Sequence, residues 1–476
     1  MGVTWLDYTV IVLYFAFMLA IGYWGMKLSK TLDDYLVAGR RLRTPFYMAC
    51  LATVVLGGAS TLGSAKLGYK FGISGFWLVF MLSFGVLVMG FLLSSRISAL
   101  RLTSVCQMLE RRYCSGARYL SAVIMVVYDM LVVTVQVISI GTIISAIFGW
   151  NLTASMLVGG AIVLAYTTSG GMWAVSITDA VQFTFMTIGI FFLALPLGLA
   201  KVGGWAALTA KLEPHYFSLT NIGGKTILAY FLLFFFGIII GQDIWQRVFT
   251  ARNPRVARTG TILAGLYGIF YGVAMAIIGM VALVLFPKLP DPQYALPMVA
   301  IHALPPGATG ILLAAAISAL MSTADGCMLA SSTVLVTDLI LPLSRRQFTD
   351  QDKQRLVRLF TFLAGLVAIV CAVWIQDILA ALDLAYALLS GAIVVPIVAG
   401  FYWKRATWQG AMWAIGLGSL AVIVGLAREG LSATNPIIYG IITSIVVLVA
   451  ASLLTRPDPQ RLQTWEETIS HAHEQV

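Results

Sequence analysis

Long apolar stretches with almost no charges recur along the whole sequence, and they limit what this chain can fold into. Hydrophobic residues make up 60% of the 476 positions and charged residues only 11%, against about 25% in soluble domains. A helix needs ~20 apolar residues to cross a bilayer, and these stretches meet that length. They are too continuous for the ~10-residue alternation of a β-barrel. The sequence predicts an all-α polytopic membrane protein.

We predict thirteen membrane spans in a single transmembrane domain, 1–476. No basic region precedes the first span and no small-residue cleavage site follows it, so it is expected to be a retained helix rather than a signal peptide. The predicted spans are 4–25, 44–69, 73–95, 118–148, 152–169, 172–200, 225–248, 259–287, 307–340, 356–376, 378–402, 407–427 and 434–455.

Lysine and arginine are concentrated in every second connection between these spans. One set of connections holds 23 of them, whereas the alternate set holds 7, among them Lys66. Cytoplasmic loops of membrane proteins carry the excess of positive charge. We therefore predict that the N-terminus lies outside the cell and the tail 456–476 in the cytoplasm. The membrane is predicted to be the plasma (cell inner) membrane. The net charge of +10 is thereby explained without a nucleic-acid partner.

The residue types that carry most enzyme and metal chemistry are sparse and scattered. Five cysteines include no CxxC pair, and the four histidines lie toward segment ends and the tail. Neither pattern predicts a disulfide framework, a zinc site or another cofactor. No nucleophile and base lie together in a candidate pocket, so the chain is not expected to be an enzyme.

The second predicted span contains paired glycines followed by hydroxyl residues. Gly57 and Gly58 lie at mid-span, just before Ser60 and Thr61. A membrane helix loses its regular hydrogen bonds only where the freed backbone lines a cavity or is buried in protein. Glycines at this depth also allow helices to pack closely, and the pattern does not separate the two interpretations.

The ninth predicted span places three oxygen-bearing positions on one helical face. Ala319, Ser322 and Thr323 are spaced i, i+3 and i+4, so one carbonyl and two hydroxyls face the same way. Neutral oxygens of this kind suit a hard cation. The alternative is that the hydroxyls bond carbonyls of their own helix. Asp325 favours a functional site, because an acid inside a membrane helix is costly.

Five motifs in order along the chain resemble the sodium/solute symporter family, whose members carry proline, pantothenate, galactose, sialic acid, iodide or choline. The motifs are Asp33-Asp34-Tyr35-Leu36-Val37-Ala38-Gly39-Arg40, Gly170-Gly171-Met172-Trp173-Ala174-Val175 with Thr178-Asp179 and Gln182, Gln246-Arg247-Val248, Ser322-Thr323-Ala324-Asp325, and Phe401-Tyr402-Trp403-Lys404-Arg405. The resemblance covers nearly the whole chain.

The resemblance implies an inverted-repeat (5+5 helix) secondary transporter. Five helices in 44–200 would be repeated upside down in 225–402, after a leading helix 4–25 and before two trailing helices in 407–455. Such folds bind their ligands at broken helices near the membrane midplane and work by alternating access.

The resemblance also implies a sodium site made of neutral oxygens. Carbonyl oxygens would come from Thr53, Leu56 and Ala319, and hydroxyls from Ser322 and Thr323.

Some relatives have a second sodium position, for which Asp179 matches the acidic ligand. The two hydroxyl positions of that site hold Asp325 and Gly326 here. Asp325 would then either bind sodium itself or replace the ion by taking a proton.

Two acids inside predicted spans bear on the transported solute. Asp129 lies mid-span after Tyr128, and Asp383, with Tyr386, falls where sugar-carrying relatives place a glutamine that contacts the substrate. Ser60 is a further candidate contact. We find no lysine or arginine at the depth of the two acids, so each needs a proton, an ion or a cationic ligand. The alternative is two protonated acids bonded to neighbouring helices.

A third intramembrane acid is nearer the cytoplasm. Asp243 is expected to form an ion pair with Arg247, four residues later in the chain.

These features predict a sodium-coupled symporter that imports a small organic solute, for which an amine, a polyamine-like cation or an amino acid suits the acids best. Its partners would be sodium, the solute and the lipid bilayer. The alternatives are a proton-coupled or sodium-independent carrier, and a sensory or channel-like membrane protein with the same fold.

Overall fold

The computed structural model describes residues 3–167, 171–344, 346–430, 433 and 435–474. Gly170 of one motif, Thr168 and Ser169 at the end of a predicted span, Arg345 of a basic connection and Thr434 at the start of the last span lie outside the described residues. The helices of the first half are α1 (Trp5–Met26), α2 (Leu32–Val37), α3 (Thr44–Val55), α4 (Ser64–Phe71), α5 (Trp77–Leu92), α6 (Ser94–Ala99), α7 (Val105–Arg112), α8 (Ser115–Phe148), α9 (Leu152–Thr167), α10 (Gly171–Thr187), α11 (Leu195–Val202) and α12 (Trp205–Lys211).

The second half continues with both long and short helices. They are α13 (Gly224–Tyr230), α14 (Phe236–Ile240), α15 (Gln242–Val248), α16 (Pro254–Leu285), α17 (Ala295–Ala303), α18 (Ala308–Val334), α19 (Leu341–Leu343), α20 (Asp350–Ile375), α21 (Ile378–Tyr402), α22 (Trp408–Glu429), α23 (Asn435–Leu454) and α24 (Pro459–Glu474). Wider π-helical turns join α10 to α11, α13 to α14 and α18 to α19, and one at Ala59–Gly63 leads into α4.

Within the described residues, ten helical stretches are long and apolar enough to cross a membrane, or eleven if the bent pair Gly224–Ile240 and Gln242–Val248 counts as one span. The all-α polytopic class is confirmed, but the predicted number of thirteen is higher than this count. One difference arises because the second predicted span is broken, leaving the short helix Thr44–Val55. Another is that the apolar part of α9, Leu152–Ala165, falls short of the length criterion.

The chain folds back sharply between α4 and α5. Gly72 has φ +68°, a backbone conformation that favours glycine. A Cβ atom added to Gly75 would lie 2.5 Å from the amide nitrogen of Gly68, so the turn packs directly on the end of α4. Both helices then pack against α16, on successive parts of its length.

Helix α18 lies at the centre of the bundle, and α1 lies at its edge. Every residue of α18 from Leu312 to Val334 is buried, including its hydroxyl residues and Asp325. By contrast, only 17% of the most apolar window of α1 is buried inside the protein. A helix buried on all sides can present polar groups to several neighbours at once, and α18 is therefore the natural place for a site.

The basic connections meet at one end of the bundle. Arg40 Nη2 donates to the carbonyl of Leu102 at 2.9 Å, and Arg112 Nη2 to that of Ala406 at 3.2 Å. The tail joins the same end, where Arg461 bonds a carbonyl of the connection before α8. The charge-rich connections predicted to share one side of the membrane thus come together, and we call this the basic end.

Candidate functional site

The first broken helix of the bundle is the predicted one. Helix α3 ends at Val55, Leu56 has φ −96° and ψ 48°, and helical turns resume after Gly57. The glycines are also closely packed, since a Cβ atom on Gly57 would lie 2.5 Å from Thr323 Oγ1. A Cβ atom on Gly58 would clash with Ser139 Oγ. Both interpretations of the glycine pair therefore hold, because the break is what allows α8 and α18 to approach.

Thr323 gathers carbonyl oxygens from both sides of this break. Its hydroxyl lies 3.3 Å from the carbonyl oxygen of Thr53, 3.0 Å from that of Val54 and 3.2 Å from that of Ala319. All four residues are buried. Four neutral oxygens from two helices converge at one point, which is the donor set that a small hard cation prefers.

The remaining carbonyls freed by the break are covered by nearby hydroxyls. Ser60 Oγ donates to the Val55 carbonyl at 2.9 Å, and Thr61 Oγ1 to the Leu56 carbonyl at 3.3 Å. The amide of Gly58 donates to the side-chain oxygen of Gln136 at 2.7 Å. Hydroxyl donors thus satisfy the oxygens that an ion would otherwise coordinate.

Ser322 turns away from the break toward a buried ion pair. Its hydroxyl donates to Asp179 Oδ1 at 2.8 Å, and Asp179 Oδ2 lies 3.1 Å from Arg247 Nη2. Arg247 is only 1% exposed, although the sequence placed it in a basic connection. The expected pairing of Arg247 with Asp243 is wrong, because the guanidinium reaches across to α10 instead.

Asp325 and Gly326 occupy the two positions where the family resemblance implies the hydroxyls of a second sodium site. Thr167 of α9 donates a hydrogen bond to the Asp325 carboxylate. A Cβ atom on Gly326 would lie 2.9 Å from Arg247 Nη2, so the glycine makes room for the guanidinium. Arg247 is thus the charged partner of Asp179, whereas Asp325 is bonded by Thr167.

A second broken helix faces the same core and was not predicted. Helices α14 and α15 are bent by 43° at Gly241, whose backbone is extended with ψ 134°. A Cβ atom on Gly241 would lie 2.6 Å from Asp243 Oδ1 and 3.1 Å from the Tyr128 hydroxyl. The signal in the sequence was a Gly-Gln-Asp triplet that interrupts an otherwise apolar run.

A polar network from four helices packs against this second break. The Tyr128 hydroxyl lies 3.3 Å from Asp243 Oδ1 and 3.1 Å from the Tyr386 hydroxyl. Cys327 Sγ lies 3.7 Å from Asp243 Oδ2. Helices α8, α15, α18 and α21 are linked in this way through side chains that are all buried.

Asp129 follows Tyr128 on α8 and is 0% exposed. Neither carboxylate oxygen has a hydrogen-bond partner among the described residues. Burying an unpaired carboxylate costs several kcal/mol unless a cation or a proton accompanies it. This acid is therefore the least satisfied charged group next to the second break.

Asp383 lies elsewhere, in a cavity at the end of the bundle opposite the basic end. That cavity is also lined by Lys66 and Asp377. Lys66 belongs to α4 rather than to a loop, is 7% exposed, and places Nζ 2.5 Å from Asp377 Oδ2. The expectation that no basic residue accompanies the two acids is wrong for Asp383, since Lys66 shares its cavity.

The structure thus brings some predicted residues together and separates others. Thr53, Ala319 and Thr323 converge, with Leu56 and Ser60 at the same break, whereas Ser322 and Asp179 form a neighbouring cluster with Arg247. Tyr386 joins the network at the second break through the Tyr128 hydroxyl. Asp129 follows Tyr128 in the sequence. On α8, Gln136 bonds the amide of Gly58 and Ser139 packs against the same glycine, and their mid-span positions were the available signal.

Comparisons with known proteins identify the family of this chain. The sequence model of the sodium:solute symporter family matches residues 35–418. The high-affinity proline transporter PutP of Bacillus subtilis is 26% identical over 95% of this chain and 100% of its own length. The sodium/glucose cotransporter 4 of Danio rerio is 24% identical over 96% of this chain and 80% of its own.

Two solved structures share the fold. A Na⁺-coupled sialic acid symporter superimposes with a TM-score of 0.82 at 19% identity, covering 95% of this chain and 98% of that one. The nucleobase-cation-symport transporter Mhp1 gives 0.56 at 14% identity, covering 92% and 99%. The inverted-repeat class of secondary transporter is therefore confirmed.

The family match covers most of the chain, and the solved structures share its fold. The protein belongs to the sodium:solute symporter family.

Proposed function

We propose that this protein imports a small solute bearing an amino group, in symport with sodium, and that Asp129 receives the ammonium. The observation that carries the proposal is the carboxylate of Asp129, fully buried and without a hydrogen-bond partner in the described part of the chain. A cationic group on the solute supplies the missing counter-charge during transport. An amine, a polyamine-like cation and an amino acid all meet this requirement.

Sodium binds at the first break. The donors are the carbonyls of Thr53, Leu56 and Ala319 and the hydroxyl of Thr323, joined by the hydroxyl of Ser322 once it releases Asp179. The convergence of Thr323 with two of these carbonyls supports the assignment. Without sodium, hydroxyls bond the freed carbonyls. When sodium binds, these hydrogen bonds are replaced by coordination to the ion, and when sodium leaves, no uncompensated charge remains at the site.

The solute binds at the second break, next to the sodium site. Asp129 and Tyr386 contact it there, and Ser60 faces it from the first broken helix. The aromatic ring of Phe234 meets Tyr386 edge to face, with centroids 5.3 Å apart, and adds an apolar wall. The names of the relatives include proline and glucose as solutes. Proline is a zwitterion with an ammonium group, whereas glucose has no charge that could pair with Asp129.

The second ion position does not take sodium in this protein. Asp179 already has the guanidinium of Arg247 and the hydroxyl of Ser322 as partners. Asp325 is a proton-binding group in this proposal, held by Thr167. One sodium ion per solute follows.

The basic end faces the cytoplasm, and both the N-terminus and the Lys66 cavity face outward. The convergence of the arginine-rich connections at one end supports this orientation under the positive-inside rule. The orientation is tested with single cysteines introduced near Thr4 and near Asp458. On intact cells, an impermeant thiol reagent is expected to label only the cysteine near Thr4.

Binding of labelled amines and amino acids to the purified protein in sodium tests the function. Asp129→Asn keeps the shape of the side chain but removes its charge, so it is expected to weaken solute binding by about 100-fold, the effect of a buried charge pair. Sodium affinity, measured without solute, is expected to stay within about twofold.

Asp338→Asn is the matched control. Asp338 is equally buried but already pairs with Arg118, at 2.8 Å, so its substitution is expected to lower stability and to leave solute affinity unchanged. Uptake of a sugar or an organic anion, with no competition from any amine, would overturn the proposed cargo.

A further inference from the structure

The cavity that contains Asp383 carries fixed charges of both signs. It measures about 590 Å³ and lies between the end of α4 and the start of α21, with Lys66, Lys70, Asp377 and Asp383 on its walls beside Phe71 and Trp374. We call it the Lys66 cavity. Two ammonium groups and two carboxylates make its net charge zero, so neither a simple cation nor a simple anion is favoured throughout it.

Lys66 is held in place with part of its hydrogen-bonding capacity unused. Within the described residues, its ammonium bonds only Asp377, and an ammonium has three N–H donors. Asp377 Oδ1 also accepts from the amides of Leu379 and Ala380 at the start of α21. Burial alone would raise the pKa of Asp377. The hydrogen bond and charge of Lys66, together with these amides, lower the pKa by more than burial raises it, so it lies below its ordinary value.

Asp383 has the opposite character. Its carboxylate forms no hydrogen bond or ion pair with another described residue, although it shares the cavity with Lys66. Lys66 is anchored by Asp377, so Asp383 keeps its capacity for a further cationic partner. The cavity therefore offers an ammonium with free donors and a carboxylate with free acceptors.

The carboxylate side of the cavity continues toward the second break. Asp383 and Tyr386 are spaced i, i+3 on α21 and so lie on one face of that helix. The Tyr386 hydroxyl is 3.1 Å from that of Tyr128, the neighbour of Asp129 in sequence. Helix α21 thus connects the cavity, through Asp383, with the network at the second break, through Tyr386.

We propose that the Lys66 cavity is a binding site for a zwitterion, whose carboxylate is bound by Lys66 and whose ammonium is bound by Asp383. The inference rests on the proposed function and narrows it, because the ammonium then passes along Tyr386 to Asp129. The transported solute is accordingly an amino acid, and the amine that lacks its carboxylate binds more weakly.

Binding to the purified full-length protein in sodium separates the two kinds of ligand. The probes are matched pairs that differ in one carboxylate: L-proline and pyrrolidine, L-alanine and ethylamine, L-lysine and cadaverine. In at least one pair the carboxylated member is expected to bind about tenfold more tightly, the effect of one charge-assisted hydrogen bond. Lys66→Met is expected to remove most of that ratio, and Lys66→Arg to retain it.

Lys288→Met is the control, since Lys288 is an exposed lysine in the connection after α16 and is not part of the cavity wall. If Lys66→Met does not fold, Asp383→Asn decides, because it is expected to weaken both members of a pair to a similar extent. Unchanged binding by Asp383→Asn overturns the site.

The outcomes also distinguish this site from the proposed function. Equal affinity for both members of every pair, with binding still dependent on Asp129, overturns the zwitterion site and leaves the amine cargo standing. If no member of any pair binds, the amine cargo itself is overturned, and the zwitterion site with it.

Discussion

The two broken helices differ in what fills the break. At the first, the carbonyls released between α3 and the following turn meet the hydroxyls of Thr323, Ser60 and Thr61. At the second, Gly241 packs against Asp243 and Tyr128, with a second acid next to that tyrosine in the chain. Both breaks depend on a glycine, yet one presents neutral dipoles and the other presents carboxylates.

This difference separates two kinds of ligand. Neutral carbonyl and hydroxyl dipoles hold a small hard cation, and when it leaves, the hydroxyls bond the carbonyls again. A carboxylate keeps its charge inside the protein and needs a cation or a proton at every stage of the cycle. The first break is therefore suited to the coupling ion and the second to an ammonium group of the solute.

The largest effect at the first break is expected from Ser322→Ala with Thr323→Ala. Removal of both hydroxyls should raise the sodium concentration for half-maximal uptake by about tenfold or more, since two of five donors are lost. Solute affinity in saturating sodium should stay nearly constant. Uptake into proteoliposomes over a range of sodium concentrations measures both quantities.

The single variants sharpen this result. Thr323→Ala should account for most of it, because Ser322 bonds Asp179 whereas Thr323 bonds the broken helix. Ser331→Ala is the control, because within the described part of the chain the Ser331 hydroxyl bonds only the Met328 carbonyl of its own helix. Wild-type uptake that does not respond to sodium would contradict the whole assignment.

Sequence reasoning found the first break because its signal is local. Gly57 and Gly58 interrupt one helix, and the spacing of Ala319, Ser322 and Thr323 fixes one face of another. Each inference needs only the periodicity of a helix. The convergence of the two segments is then a consequence of the inverted-repeat fold, which the family motifs indicated.

The partners of the charged residues could not be predicted in the same way. Arg247 and Asp243 are four residues apart, but the guanidinium pairs with Asp179 on α10. Lys66 pairs with Asp377, which is 311 positions away in the chain. Such pairings depend on how helices rotate and pack against one another, and neither composition nor spacing within one segment specifies that.

Adding one methyl group at each break should produce smaller effects, each on a different ligand. Gly57→Ala brings a Cβ atom to 2.5 Å from Thr323 Oγ1, so we expect sodium affinity to fall by about fivefold. Gly241→Ala crowds Asp243 Oδ1 at 2.6 Å and should weaken solute binding by a similar factor.

Each glycine variant is the control for the other. Gly241 has φ −60°, which alanine adopts without strain, so its effect arises from contacts rather than from the backbone. Equal losses of sodium and solute affinity in both variants would contradict the separation of the two ligands.

Lowering the pH should weaken solute affinity several-fold more than sodium affinity, which distinguishes the two breaks. Protonation removes the charge with which Asp129 attracts an ammonium, so solute binding should weaken as pH falls. Sodium binding to carbonyls and hydroxyls involves no titrating donor and should weaken much less. Equilibrium binding of each ligand at a series of pH values measures this, and Asp129→Asn should reduce the pH response of solute binding to the part that comes from Asp383.

The smallest effect is expected from Asp325→Asn, which tests whether any acid near the first break contributes to sodium binding. The amide has the size of the carboxylate and can still accept the hydrogen bond of Thr167, so the structure should be retained. Because Asp179 is occupied by Arg247 and Ser322, sodium affinity should change by no more than about twofold. The pH dependence of uptake should become flatter, since the variant has lost a proton-binding group. A several-fold loss of sodium affinity at every pH would show instead that Asp325 is a sodium ligand, and the first break would then no longer be the neutral one.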